Sequence, residues 1–217
     1  MKLKELEGLL QEIDSFTTPK LHFEQFITTP HLASQILYTI DQTYDDIEEK
    51  CICDLGIGTG MLSIGCTFLG ADYILGIDID KDALEICQKN IDYFDIDSIE
   101  LINADCETIL KDDCTNTLNR KFDTVIMNPP FGTKNTGIDL LFLRLALSLS
   151  TNVIYSLHKT STRKFLEKKT ASWGLKMEVV RELRYNIPKV DNRNKNLHKS
   201  APEKDISVDF LRFTFEN

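Results

Sequence analysis

The chain has 217 residues, 42% of them hydrophobic and 27% charged, a balance that predicts one globular domain with a real core and excludes a disordered chain. No apolar run approaches the roughly 20 residues needed to cross a bilayer, and the charged start MKLKELEGLLQEID lacks the apolar region of a signal peptide, so neither a membrane nor a secreted protein is expected. The net charge of −9 argues against a general nucleic-acid binder, yet residues 1–157 carry −15 and residues 158–204 carry +8, an acidic body with one basic lobe that suits a local polyanion contact.

Leu3, Leu6, Leu10 and Ile13 fall on one stripe and predict a first helix. Thr29 before Pro30 predicts a second, running to about Tyr44, because threonine caps free amides and proline tolerates the first turn. From Cys51 onward strand and helix alternate. CICDLG, YILGIDID, SIELIN, FDTVIMN and NVIYSL read as strands, with helices at Met61–Gly70, Lys81–Phe94 and Leu140–Ser150 and a polar stretch at Lys111–Lys121. A helix at Thr162–Trp173 then leads to two further strands, MEVVRELRY and ISVDFLRFTF. The alternation predicts an α/β fold, a doubly wound, mostly parallel sheet of seven strands. The last strand follows the sixth without a helix and is therefore expected to be antiparallel. Between them, at about 187–205, lies a polar, basic loop of a length that tends to be functional or disordered.

The six cysteines form no Cys-x-x-Cys pair and no zinc-like spacing with the four histidines. Buried, reduced thiols in a cytosolic or nuclear compartment are expected, and no bound metal.

Asp54-Leu55-Gly56-Ile57-Gly58-Thr59-Gly60 sits where the first strand turns into a helix, and glycines there permit a tight turn and close approach of a ligand. Met61 stands where a dinucleotide fingerprint wants its third glycine, which disfavours a nicotinamide dehydrogenase. Asp78 ends the second strand about 20 residues later, the usual place for a carboxylate that accepts from both ribose hydroxyls. Asp105 ends the third strand in the same way and is placed to accept from an adenine amine, with the backbone amide of Cys106 facing the ring. Capping of the next helix is the plainer role for such acids, and Asp80 is expected to fill it.

Asn128-Pro129-Pro130-Phe131 follows the fourth strand. The prolines end the strand stiffly and donate nothing, so their carbonyls and the Asn128 side-chain oxygen become fixed acceptors. Two acceptors on the two hydrogens of a planar amine favour its pyramidalisation and stabilise the charge that grows as nitrogen attacks a sulfonium methyl. Phe131 adds a flat face for stacking on the target.

DLGIGTG, GIDID and NPPF resemble the amino-methylating group of the class I S-adenosylmethionine-dependent methyltransferases, whose fold is Rossmann-like. MNPPFGTKN, YSLHKTSTR, EQFITTPHLA and YTIDQTYDDIE extend the likeness over nearly the whole chain, to the eukaryotic N6-adenosine methyltransferases of small-subunit (18S) ribosomal RNA. The resemblance implies S-adenosyl-L-methionine as cofactor, with Gln25 and Thr28 contacting it from an N-terminal helical segment (residues 1–45) that closes over it, and a methyltransferase catalytic domain at residues 46–217. It further implies Gly56, Gly58 and Thr59 along the methionine part, Asp78 on the ribose, and Asp105 and Cys106 at the adenine. Asn128 and Pro129, with Pro130, would grip the target amine while Phe131 stacks on it. A small zinc-containing activator subunit as heterodimer partner, and residence in nucleus (nucleolus) and cytoplasm, are implied as well. An edge position for SIELIN in a doubly wound sheet would leave an apolar strand open to such a partner.

The nearest alternative is a glutamine-amide N5 methyltransferase acting on a protein release factor, for which the same acceptors serve a carboxamide. The basic lobe around Arg163, Lys164, Lys168, Lys169 and Arg193 to Lys199 favours a phosphate-rich substrate instead. A non-catalytic RNA-binding module of the same fold is the other, and an intact Asn-Pro-Pro-Phe argues against it.

Overall fold

The computed structural model describes residues 1–111, 121–187 and 204–216. The polar stretch before the fourth strand and the basic loop at about 187–205, Arg193 to Lys199 included, lie outside these residues except at their ends. Strands β1 (Cys51–Leu55), β2 (Tyr73–Asp78), β3 (Ile99–Asn103), β4 (Phe122–Met127), β5 (Ser150–Lys159), β6 (Leu175–Ile187) and β7 (Lys204–Phe215) form one sheet in the order β3-β2-β1-β4-β5-β7-β6. The pairs from β3 to β5 are parallel, and β7 runs antiparallel to both β5 and β6. The last strand thus enters between its two neighbours as the one reversed element. β3 and β6 are the edges.

Side-chain alternation sorts the core onto the two faces of the sheet. Ile52, Ile74, Ile126 and Tyr155 point to one side and pack with α1 (Leu3–Leu10), α2 (Pro30–Thr39), α3 (Met61–Phe68) and α4 (Lys81–Tyr93). Cys53, Leu75, Val125 and Ile154 point to the other, against α5 (Cys106–Lys111), α6 (Ile138–Leu149) and α7 (Arg163–Ala171). Each aliphatic side chain sealed this way contributes roughly 1.5–3 kcal/mol. β7 serves both layers, with Val208 and Phe210 on one face and Leu211 and Phe213 on the other.

Helix ends follow local chemistry. Thr29 Oγ1 accepts from Leu32 N at 3.3 Å at the start of α2, and Asp80 Oδ1 accepts from Asp82 N at 3.1 Å at the start of α4, as the sequence predicts. α2 continues into one wide turn, Ile40–Tyr44, which accounts for the expected length. α5 was not anticipated, because six residues are too few to show a helical period. Cys53, Cys66, Cys87 and Cys106 are free and buried, and burial pushes the Cys106 thiol up to about 12.

Candidate active site

β1 delivers the glycine turn to the carboxyl end of the sheet, where open α/β folds bind ligands. Gly58 (φ +58°) and Gly60 (φ +92°) adopt the left-handed conformation, which a side chain disfavours. The turn also needs room behind it. A Cβ on Gly76 of β2 would stand 2.2 Å from Ile57 Cδ1, so glycine at 76 is what lets Ile57 seat and hold the turn.

The turn floors a cleft of about 230 Å³ whose walls include Gln25, Thr28, Gly56, Gly58, Thr59, Asp78, Asp105, Cys106, Asn128 and Pro130. Residues predicted from four separate strand ends and the N-terminal segment are therefore brought together. Asp78 accepts from Gly58 N at 2.9 Å and from Asp80 N at 2.8 Å, and burial raises its pKa. Asp105 uses one oxygen to cap α5, accepting from Glu107 N at 2.8 Å, while Cys106 begins that helix. Gln25 faces Asp80 rather than standing alone: its Nε2 donates to Asp80 Oδ2 at 2.6 Å, and Lys20 Nζ reaches Asp80 and Asp82 at 2.5 and 2.7 Å. The N-terminal segment is thus pinned to the start of α4 beside the cleft.

The proline corner is built by long-range contacts. Asn128 Nδ2 donates to Thr28 Oγ1 at 2.9 Å and to Tyr185 Oη at 3.1 Å. Both hydroxyls fix the amide plane and leave Oδ1 buried with no partner among the described residues. A buried acceptor without a donor costs about 1–3 kcal/mol, so its persistence at a cleft wall marks it as a group awaiting a ligand. Burial pushes the Tyr185 phenol up to about 12, which keeps it neutral at working pH.

Pro129 is buried. Phe131 departs from expectation. It is 5% exposed, stacked on Phe26 (5.6 Å between centroids, 21°) and edge-on to Tyr185 (5.7 Å, 88°). Its flat face is covered by an aromatic of the N-terminal segment, so stacking on a target requires Phe26 to move aside.

Other site residues escaped the sequence reading. Tyr185 and Phe16, whose ring lies 3.1 Å from where a Cβ on Gly58 would be, reach the site only through the tertiary fold. Glu24 sits at φ +52° and is 6% exposed, accepting from Lys134 N at 2.7 Å through one oxygen. Its other oxygen is buried without a partner among the described residues. Asp54 did carry a signal, a carboxylate inside the apolar run CICDL. It is 1% exposed, accepts from Ser63 Oγ at 2.7 Å, and burial raises its pKa to about 7.

Because the unfolded carboxyl titrates near its ordinary 3.8, Asp54 contributes stability in full below about pH 4, and that contribution is lost as pH rises through about 7. Between pH 5 and 8 this amounts to about 3 kcal/mol. Urea unfolding of Asp54→Asn at those two pH values is expected to show a flatter dependence than the parent chain. An unchanged slope would place the titration elsewhere.

Comparison with known proteins accords with this geometry. Residues 28–129 match the family profile "Ribosomal protein L11 methyltransferase (PrmA)". The chain is 49% identical to the rRNA N(6)-adenosine-methyltransferase METTL5 of Danio rerio over 99% of both chains, and 42% identical to that of Drosophila melanogaster over 98% of this chain and 96% of the relative. Among solved structures, a Pyrococcus horikoshii protein considered an RNA methyltransferase superposes with a TM-score of 0.82 at 31% identity, covering 100% of this chain and 97% of the other.

Proposed function

Since the chain belongs to the family of rRNA N(6)-adenosine methyltransferases, we propose that it methylates N6 of an adenosine in small-subunit (18S) ribosomal RNA. The observation that carries this reading is the partnerless Oδ1 of Asn128, held at the cleft wall by Thr28 and Tyr185. S-adenosylmethionine supplies an electrophilic methyl on sulfur. The residues present fit it: a turn with glycine at 56, 58 and 60, Asp78 for two ribose hydroxyls, Asp105 and the Cys106 amide for an adenine edge, and Asp54 for a cationic amino group. Residues 1–45 would close over it, with Phe16, Gln25 and Thr28 already on the cleft wall.

At the corner, Asn128 Oδ1 and the Pro129 carbonyl would accept from the two N6 hydrogens. Withdrawing those hydrogens from the ring plane localises the lone pair on nitrogen. That pair would then be free to take up the methyl that the donor supplies, with the sulfur as leaving group. The extra proton then leaves N6 for solvent. No general base is required before attack, and the two acceptors stabilise the positive charge as it grows.

The reading is tested by incubating the chain and donor with ribosomal RNA from cells that lack it, then mapping nucleosides by mass spectrometry. One new N6-methyladenosine in the small-subunit RNA is expected. Label appearing in a release-factor glutamine instead would overturn it.

The same reading includes a heterodimer with a small zinc-containing activator. What supports it is the edge position of β3, with Ile79, whose carbonyl accepts from Asn103 Nδ2 at 3.0 Å, at 46% exposure and Tyr93 at the end of α4 at 67%, since an open apolar edge favours strand pairing. Coexpression with such a subunit is expected to raise soluble yield several-fold, and a stable, active product of the chain alone would count against it. Residence in nucleolus and cytoplasm is part of the proposal, and imaging of the tagged chain checks it.

A further inference from the structure

A second concavity, of about 420 Å³, lies between the start of α2 and the edge strand β6. Ile27, Leu32 and Leu183 give it apolar walls, and Arg181, Arg184 and His31 bring cationic or ring nitrogen groups to the same space. Two features connect it with the catalytic corner. Ile27 lines both this groove and the cleft, and Tyr185, a wall of the groove, holds Asn128 through its hydroxyl.

The groove owes its charge to a fault in the sheet. The pairing of β6 with β7 shifts between Val179 and Arg181, a bulge of the kind that re-aims side chains on edge strands. Beyond it, alternation sets Arg181, Leu183 and Tyr185 on one face, toward α2, while Arg184, on the opposite face of this edge strand, borders the groove from its rim. Arg181 Nη1 donates to Gln35 Oε1 at 3.0 Å, so a neutral amide orients it without cancelling its charge. The acids of the same strand are engaged elsewhere, Glu182 with Arg163 at 2.7 Å and Glu178 with the Tyr44 hydroxyl at 2.8 Å.

An adenosine whose amine reaches Asn128 remains joined through phosphates to its neighbours. Those neighbours must leave the cleft over its rim. We propose that the α2–β6 groove receives the nucleotide adjoining the target adenosine, its phosphate on Arg181 and Arg184 and its base or sugar against Ile27, Leu32 and Leu183. Guanidinium groups suit a phosphodiester, and an apolar wall suits an unstacked base without reading its sequence. The inference rests on RNA adenine being the substrate. It assigns this groove, rather than the lysine-rich helix α7, to the strand next to the reaction.

The test uses the full-length chain, donor, and ribosomal RNA from cells that lack the chain. In an Arg181→Ala/Arg184→Ala variant, KM for RNA is expected to rise about tenfold or more. The slope of log affinity against log salt should fall by about 1 to 1.5, the effect of two lost contacts to single-stranded phosphate. Donor affinity should stay within about twofold. A photocrosslink from 4-thiouridine beside the mapped adenosine should land, in the unaltered chain, on residues 27–35 or 181–185, which decides the matter even if the double variant fails to fold. Unchanged KM and salt slope in a folded variant, or crosslinks mapping elsewhere, overturn the groove while the unaltered chain's methylation of RNA keeps the wider reading intact. If the unaltered chain methylates no RNA, both fall together.

Discussion

Asn128→Ala is expected to lower turnover on ribosomal RNA by about 10²–10³-fold, the loss typical when one preorganised partner of a developing charge is removed. Donor affinity should change little, because Asn128 faces the amine and the cofactor is assigned to the glycine turn and the strand-end acids. Asn128→Asp keeps an acceptor but loses the Nδ2 donor that Thr28 and Tyr185 hold, and should fall between. Tyr185→Phe removes one of the two hydroxyls orienting the amide. It should depress kcat about tenfold, within the range of one net hydrogen bond, and leave KM and donor affinity near normal. Single-turnover rates and calorimetric donor titrations separate these effects. An Asn128→Ala chain that keeps full turnover would leave only a binding module of the same fold.

Asp78→Ala should act on the other half of the reaction. Its carboxylate sits at the end of β2, bonded to Gly58 N and Asp80 N, with the edge of the cleft beyond it. Removing a charged acceptor of two hydroxyls costs about 1.5–3 kcal/mol, so the donor's dissociation constant should rise roughly 10- to 150-fold. At saturating donor, kcat should be largely restored. The loss has two parts, since the glycine turn also gives up the anchor on Gly58. Asp78→Asn retains the shape and one acceptor and separates them. A donor constant unmoved by either change would remove Asp78 from the ribose.

The sheet was legible because its strands are apolar runs that stop at glycine, acid or amide, and Asp78, Asp105 and Asn128 each mark such a stop. The reversal of the last strand was legible too, since no helix separates MEVVRELRY from ISVDFLRFTF. What lay beyond reach was made by distance. Tyr185 reads as one more aromatic in a strand, and only the insertion of β7 beside β6 explains how it meets Asn128. Phe26 reads as part of an amphipathic segment, and nothing local tells that it lies on Phe131 and hides the face expected for the target. Asp105 had two sound roles, and the backbone answers for one oxygen, which caps α5. The short α5 itself shows too little periodicity to be read.

The phenol that steers the catalytic amide sits on β6, whose strand partner in the sheet is β7. A frameshift just past Ile187 would therefore spare every residue assigned to the donor and both prolines of the corner, yet strip the strand that keeps Tyr185 in place. Such an allele also removes Val208, Phe210, Leu211 and Phe213 from both core layers, a loss of roughly 1.5–3 kcal/mol each that rivals the whole stability of a domain, so it should yield little folded protein. Loss of the closing hairpin would read genetically as absence of the protein, whereas a point change at Tyr185 alone would read as a chemical defect.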